Sequence, residues 1–226
     1  MKIKKKRYWK EIFFFDKFFL KILKYNREKI FNIFRKNIKI KKNYNLIDIG
    51  TSPVLEDYEN IILQKYPWKH KILCFSNQDC SILKKKFPDI KTKKGNGLDT
   101  KFSSNSFDIV YSSATIEHVG SFFNQKKFVK ELFRISKKYI FITTPNRYFP
   151  FEFHTKLPLL HYLPKNIFRY LLKLFGDNFF SKEKNLNLLT KKEIFKICSE
   201  LNIKNFHILV NKFLLIDSNY ILLIIK

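Results

Sequence analysis

The stretch from Asn45 to Pro53, Asn-Leu-Ile-Asp-Ile-Gly-Thr-Ser-Pro, most constrains what this chain can fold into. A short apolar run that ends in an acid, and is followed at once by a glycine and two small hydroxyl residues, suits a buried parallel strand whose carboxyl end approaches a nucleotide-like ligand. Gly50 lets the backbone come close there, and Asp48 meets polar groups. An ordinary strand-to-helix turn has the same spacing, so the stretch needs its neighbours to carry weight.

The neighbours repeat the pattern. Glu56 to Tyr66 has helical spacing at Tyr58, Ile61, Ile62 and Tyr66, and Lys71 to Phe75 reads as a second strand. A short basic helix from Ser81 to Phe87 and a strand from Asp89 to Lys93 lead into Gly95-Asn96-Gly97-Leu98-Asp99. Phe107 to Ser112 is a further strand, Asn124 to Ile135 a helix, and Tyr139 to Thr143 a strand stopped at Pro145. Strands alternating with helices imply a parallel sheet covered on both faces, whose ligands bind beyond the carboxyl ends of the strands. Gly50, Asn77, Asn96 and Ser112 all fall at such ends.

The order of these blocks resembles the class I S-adenosylmethionine-dependent methyltransferases, in particular the ubiquinone-biosynthesis-like small-molecule branch. The residues that carry it are Leu46-Ile47-Asp48-Ile49-Gly50-Thr51, Gly95-Asn96-Gly97-Leu98-Asp99 with Phe102, and Ser106-Phe107-Asp108-Ile109-Val110 running into Ile116-Glu117-His118-Val119. The resemblance implies a Rossmann-like, doubly wound α/β sheet of seven strands, mostly parallel with an antiparallel closing hairpin. It implies S-adenosyl-L-methionine as cofactor, with Asp48, Gly50, Thr51 and Ser52 at its methionine end, Ser76 and Asn77 at the ribose, Asn96, Gly97 and Leu98 at the adenine, and Ser112 and Ser113 at the next strand end. The sequence departs from the family where Ser52 and Pro53 replace later glycines, where Ser76 and Asn77 stand for an acid, and where Asn96 faces the adenine. Each departure keeps a hydrogen-bonding group and gives up a charge-assisted one.

Outside the sheet, residues 1–44 form a helical extension and residues 45–226 the main domain, with an insertion at about 147–188. Lysines 2 and 4–6 and Arg7 open the chain, but Asp16 and Lys17 cut the apolar run that follows, so neither a signal peptide nor a membrane span is expected. A helix from Tyr8 to Tyr25 puts Ile12, Phe15, Phe18, Phe19, Ile22 and Leu23 on one face, and a second helix covers Arg27 to Lys36. Such a basic, aromatic helix packs on the domain or lies on an anionic lipid surface. Phe149 to Pro158, with His161 and Pro164 beyond, reads as an ordered loop at the acceptor pocket. His154 and then His118 are the candidate bases for an acceptor hydroxyl. Glu152, His154 and His161 have no fixed metal-ligand geometry, and no metal is expected. Ile167 to Phe175 is a basic amphipathic helix, Thr190 and Glu193 form a capping box, and Ile203 to Val210 and Tyr220 to Ile225 are the last strands.

Composition bears on partners. Forty-five basic residues against 19 acidic ones give a formal charge of +26, a field that attracts nucleic acid, anionic lipid or an anionic substrate. The three cysteines, Cys74, Cys80 and Cys198, lack metal-ligand spacing and read as reduced thiols of a cytoplasmic protein. The expected acceptor is a small molecule or a lipid- or glycan-linked group, with a cytoplasmic or peripheral-membrane location. A nucleic-acid methyltransferase or binding protein is the alternative the charge favours, against which stand the missing Asn-Pro-Pro-aromatic motif and recognition domain. A noncatalytic binding module on the same fold is the third reading.

Overall fold

The computed structural model describes residues 16–56, 59–155 and 157–226, with the side chains described from residue 20. Seven strands make one sheet in the order β3-β2-β1-β4-β5-β7-β6. They are β1 Leu46–Ile49, β2 Ile72–Ser76, β3 Lys91–Lys94, β4 Phe107–Ser113, β5 Ser136–Pro145, β6 Phe206–Phe213 and β7 Ile216–Ile225. The first five pair in parallel, and β7 runs antiparallel to both β5 and β6. The helices are α1 Asp16–Asn37, α2 Ile61–Lys65, α3 Phe122–Ile135, α4 Lys165–Leu174 and α5 Lys191–Glu200. This is the seven-stranded, doubly wound arrangement expected from the motif order.

Alternation along the central strands builds both cores. Leu46, Ile109, Tyr111, Phe141, Ile221 and Leu223 point to the face covered by α1 and α2. Their sequence neighbours Ile47, Val110, Ile140, Ile142, Leu222 and Ile224 point to the face covered by α3 and α5. A strand period of two therefore supplies each face with its own apolar layer, as a sheet buried on both sides requires. The insertion buries a small core of its own around Phe168, Leu172, Phe180, Leu186 and Leu188.

Several boundaries differ from the sequence reading. The two helices expected before Tyr44 are one within the described residues, because Asn26, where a break was expected, is buried and accepts a hydrogen bond from the Asn211 side chain at 3.3 Å. The basic start of the chain, Ile12 and Phe15 lie outside the described residues, as does Tyr58. The helix expected over Glu56 to Tyr66 is only α2, since the Asn60 amide, instead of capping an earlier turn, donates to the carbonyls of Ser52 and Val54 and holds that segment as a loop. Ser81–Lys85 is a 3-10 turn, not an α-helix. The Thr190–Glu193 capping box is present with both of its hydrogen bonds. No helix among the described residues is long and apolar enough to cross a membrane.

Phe34 fastens α1 to the sheet. It is fully buried and meets the rings of Tyr111 and Phe141 edge-on, at centroid distances of 5.7 and 5.3 Å. Phe34→Ala removes a ring that no neighbour can replace and is expected to cost about 3–5 kcal/mol, read as a shift of the denaturant midpoint with an unchanged slope.

Candidate active site

The carboxyl ends of β1 and β4 open into a cleft of about 480 Å³, counting the solvent at its mouth. Asp48, Gly50, Thr51 and Ser52 line it from β1, and Ser113 and Ala114 from β4. Across from them stand Arg27 of α1 and Glu59, whose carboxylate is 3.4 Å from the guanidinium. The Arg27 guanidinium also donates to the Glu59 carbonyl. The Arg27–Glu59 ion pair and buried Asp48 thus line the same cleft.

Local geometry explains each wall. Gly50 turns the chain out of β1 at φ +90°, and its N–H donates to the Phe75 carbonyl at 2.8 Å. A Cβ placed there would lie 2.1 Å from Thr115 Oγ1, so the missing side chain makes room for Thr115. Its role is therefore in the fold as much as at a ligand, which corrects the expectation that it simply lets a ligand approach. Thr51 shares its hydroxyl proton between the Asp48 carbonyl and Oδ2, both at 2.9 Å. Burial outweighs that hydrogen bond and raises the Asp48 carboxyl to about 7.

The other expected cofactor residues divide. Ser76 is buried and Asn77 exposed at the end of β2, beside the β3 end, where the Gly95 N–H donates to the Ser76 carbonyl at 2.7 Å. They and the Asn96 turn sit beyond the cleft around Asp48. The Asn96 carbonyl, expected to face an adenine amino group, accepts the Leu98 N–H at 2.9 Å. Gly97 lies against Phe128 and Ile49, where a Cβ would come within 2.9 and 3.3 Å, so it is a packing position. Ser112 is fully buried and donates to the Ile49 carbonyl at 2.8 Å, which ties β4 to β1 and keeps its hydroxyl from the cleft. Arg27 and Glu59 escaped the sequence reading, since residues so far apart and outside every motif carry no spacing signal.

Beyond Ala114, which takes φ +50° to leave β4, a 3-10 turn over Ile116–His118 brings Glu117 and His118 toward the insertion. The two histidines expected to be bases meet there, Nε2 to Nε2 at 3.1 Å. His118 Nδ1 lies 2.6 Å from the Asn185 carbonyl, and His154 Nδ1 lies 2.6 Å from Glu152 Oε1. Burial, with His154 close by, lowers His118 to about 4. Burial opposes charging His154 too, but the Glu152 carboxylate overcomes it and raises the imidazole. Glu117 is fully buried, accepts the Thr144 hydroxyl at 3.1 Å and is raised by burial to about 7. His161 stands apart, its Nε2 on the Phe149 carbonyl at 2.7 Å.

Comparison with known proteins shows what this arrangement is similar to. Residues 61–141 match the family model described as a methyltransferase domain. A solved S-adenosylmethionine-dependent methyltransferase from Aquifex aeolicus superposes with a TM-score of 0.59 at 13% identity, over 91% of this chain and 92% of that one. A possible histamine N-methyltransferase from Thermotoga maritima gives 0.56 at 14% identity, over 94% and 96%. Magnesium protoporphyrin IX methyltransferase from Synechocystis, solved with bound S-adenosylhomocysteine, gives 0.54 at 10% identity, over 91% and 83%. No curated protein matches the sequence. The domain match and the shared fold support an S-adenosylmethionine-dependent methyltransferase, without singling out the ubiquinone-biosynthesis-like branch.

The raised Asp48 carboxyl has a pH signature. A buried acid whose folded pKa exceeds its unfolded value favours the fold below about pH 4, and that contribution is lost as pH rises toward about 7. In the ligand-free protein, thermal stability is expected to fall less between pH 5 and pH 8 in Asp48→Asn than in the native chain. Parallel curves in a thermal-shift titration would show that Asp48 ionises freely.

Proposed function

We propose that the chain transfers the methyl group of S-adenosylmethionine to a hydroxyl-bearing small molecule or lipid- or glycan-linked acceptor. The observation that carries the cofactor half is the pairing of a cation and an acid in one cleft. Asp48 suits the ammonium and Arg27 the carboxylate of an amino-acid end, and both stand at the strand ends where this fold receives its ligands. The carboxylate of Asp48, buried with Thr51 as its side-chain donor, gains a charged partner when that ammonium arrives. Ser76, Asn77 and the Asn96 turn, next along the strand ends, hold the nucleoside part.

When bound, S-adenosylmethionine supplies a methyl on a sulfonium whose S–C bond breaks with its electron pair onto sulfur. The chain then has two tasks, to align the acceptor and to remove its proton. Arg27 and Asp48 would fix the cofactor by its charged end, in the cleft that Gly50 and Ala114 also line. On the insertion side, Glu117, His118, Glu152 and His154 are the groups able to act on an acceptor hydroxyl. Phe180, from the apolar core of the insertion, packs against the His154 ring at a centroid distance of 5.5 Å.

Arg27→Gln removes the charge and keeps a hydrogen-bonding side chain. It is expected to weaken S-adenosylmethionine binding about tenfold or more in calorimetry while leaving the circular dichroism spectrum unchanged. Unaltered affinity would take Arg27 out of the site, and no binding by the native chain would remove the cofactor reading itself. Incubation of the active protein with labelled cofactor and cell extract, followed by mass spectrometry, then identifies the acceptor class.

A further inference from the structure

The cluster at the insertion contains an unmet requirement. A backbone carbonyl only accepts, so His118 Nδ1, 2.6 Å from the Asn185 oxygen, carries a hydrogen. Glu152 also accepts, held as a carboxylate by the His154 side chain and by the N–H groups of His154 and Thr155 at 3.0 and 2.6 Å, so His154 Nδ1 donates as well. In both neutral rings the lone pair is then on Nε2, and these two nitrogens face each other at 3.1 Å. One added proton would satisfy the nitrogens. It would still leave Glu117, fully buried, with Oε1 unpartnered.

We propose that Glu117, His118 and His154 form a site for a divalent transition-metal cation of the Zn2+ class, whose remaining position takes water or the acceptor hydroxyl. Ligand atoms of the three residues all lie within 4.8 Å of one another. Zinc–nitrogen bonds of about 2.0–2.1 Å at a tetrahedral angle separate two nitrogens by about 3.3 Å, close to the spacing the rings already have. Two imidazoles and one carboxylate select zinc, manganese, iron or cobalt over magnesium or calcium, which prefer oxygen alone. Each ring is also held from behind, His118 by the Asn185 carbonyl and His154 by Glu152, while Thr144 holds the carboxylate. Such support fixes which nitrogen faces the metal. The His154 side chain is 17% exposed, which leaves a way in from solvent.

This site deepens the methyltransferase reading and rests on it for its purpose. A hydroxyl on the cation ionises near neutral pH, its proton leaving to solvent, and the oxygen becomes the nucleophile without a free base. Metal binding itself does not depend on the cofactor, and the two can be tested apart.

The full chain, stripped with a chelator, is titrated with Zn2+ and with Co2+. The native protein is expected to bind one equivalent, with a Co2+ spectrum of nitrogen and oxygen ligation that lacks a thiolate band, and to melt at a higher temperature when loaded. Glu117→Gln, nearly isosteric, and His154→Ala are expected to weaken binding at least thirtyfold, whereas His207→Ala, at an exposed position of β6 outside the cluster, binds as the native chain does. Absence of stoichiometric binding, a thiolate spectrum, or undiminished binding by Glu117→Gln would overturn the proposal; should His154→Ala not fold, Glu117→Gln decides alone. S-adenosylmethionine calorimetry in chelator tests the cofactor reading separately, because Asp48 and Arg27 are not in the cluster.

Discussion

The structure depends on burying its central strands on both faces. β1, β4 and β5 cannot carry buried polar side chains unless each finds a partner inside, as Asp108 does with the Asn45 N–H and Ser136 with the Tyr139 carbonyl at the amino ends, and several more sit toward the carboxyl ends. Asp48 takes Thr51, Ser112 takes the Ile49 carbonyl, Ser113 pairs with Thr143 at 3.0 Å, and Thr144 takes Glu117. The same rule that makes the sheet apolar concentrates chemistry at one edge. The cleft and the histidine cluster are both products of that concentration.

Much of this was legible in the chain. Leu46-Ile47 before Asp48-Ile49-Gly50 announced a buried strand and its turn, and Thr190 with Glu193 announced the start of α5. The strand order followed from alternating elements with a family resemblance. What was hidden shares a physical cause, since it depended on contacts between residues far apart in sequence. Asn26 looked like a helix break and instead found Asn211 across the fold. Arg27 was only the start of an expected helix until Glu59 and the cleft placed it. Ser112 looked ligand-facing, but a strand's alternation alone cannot say whether a hydroxyl at its end turns outward or bonds the neighbouring strand. The meeting of His118 with His154 likewise required the insertion to fold back.

Charge is arranged with similar economy. Acidic residues are scarce, 19 against 45 basic ones, yet Asp48, Glu117 and Glu152 are all buried at the strand ends and in the insertion. Elsewhere acids answer specific needs, as Glu131 does in binding Arg134 at 2.8 Å while accepting from the Thr100 backbone and hydroxyl at 2.8 and 2.6 Å. That network holds the Glu131 carboxyl down to about 2.

The three buried acids do not behave alike, and the difference follows from their partners. Glu152 has two backbone N–H groups and an imidazole, which hold it at about 2 against its burial. Asp48 and Glu117 each have one hydroxyl, and burial raises both to about 7. An acid left in that condition is a standing cost to the ligand-free fold that a positive partner removes. Under the readings proposed above, the ammonium of an amino-acid ligand would do so at Asp48, and a cation would do so at Glu117. A partner that binds the folded chain and finds no such site in the unfolded one would raise stability by mass action. The two acids are far apart in sequence, and the parallel pairing of β1 with β4 brings them to the same end of the sheet, Asp48 within β1 and Glu117 just beyond β4. In this fold, the groups that weaken the empty protein are the ones that make it ready for charge.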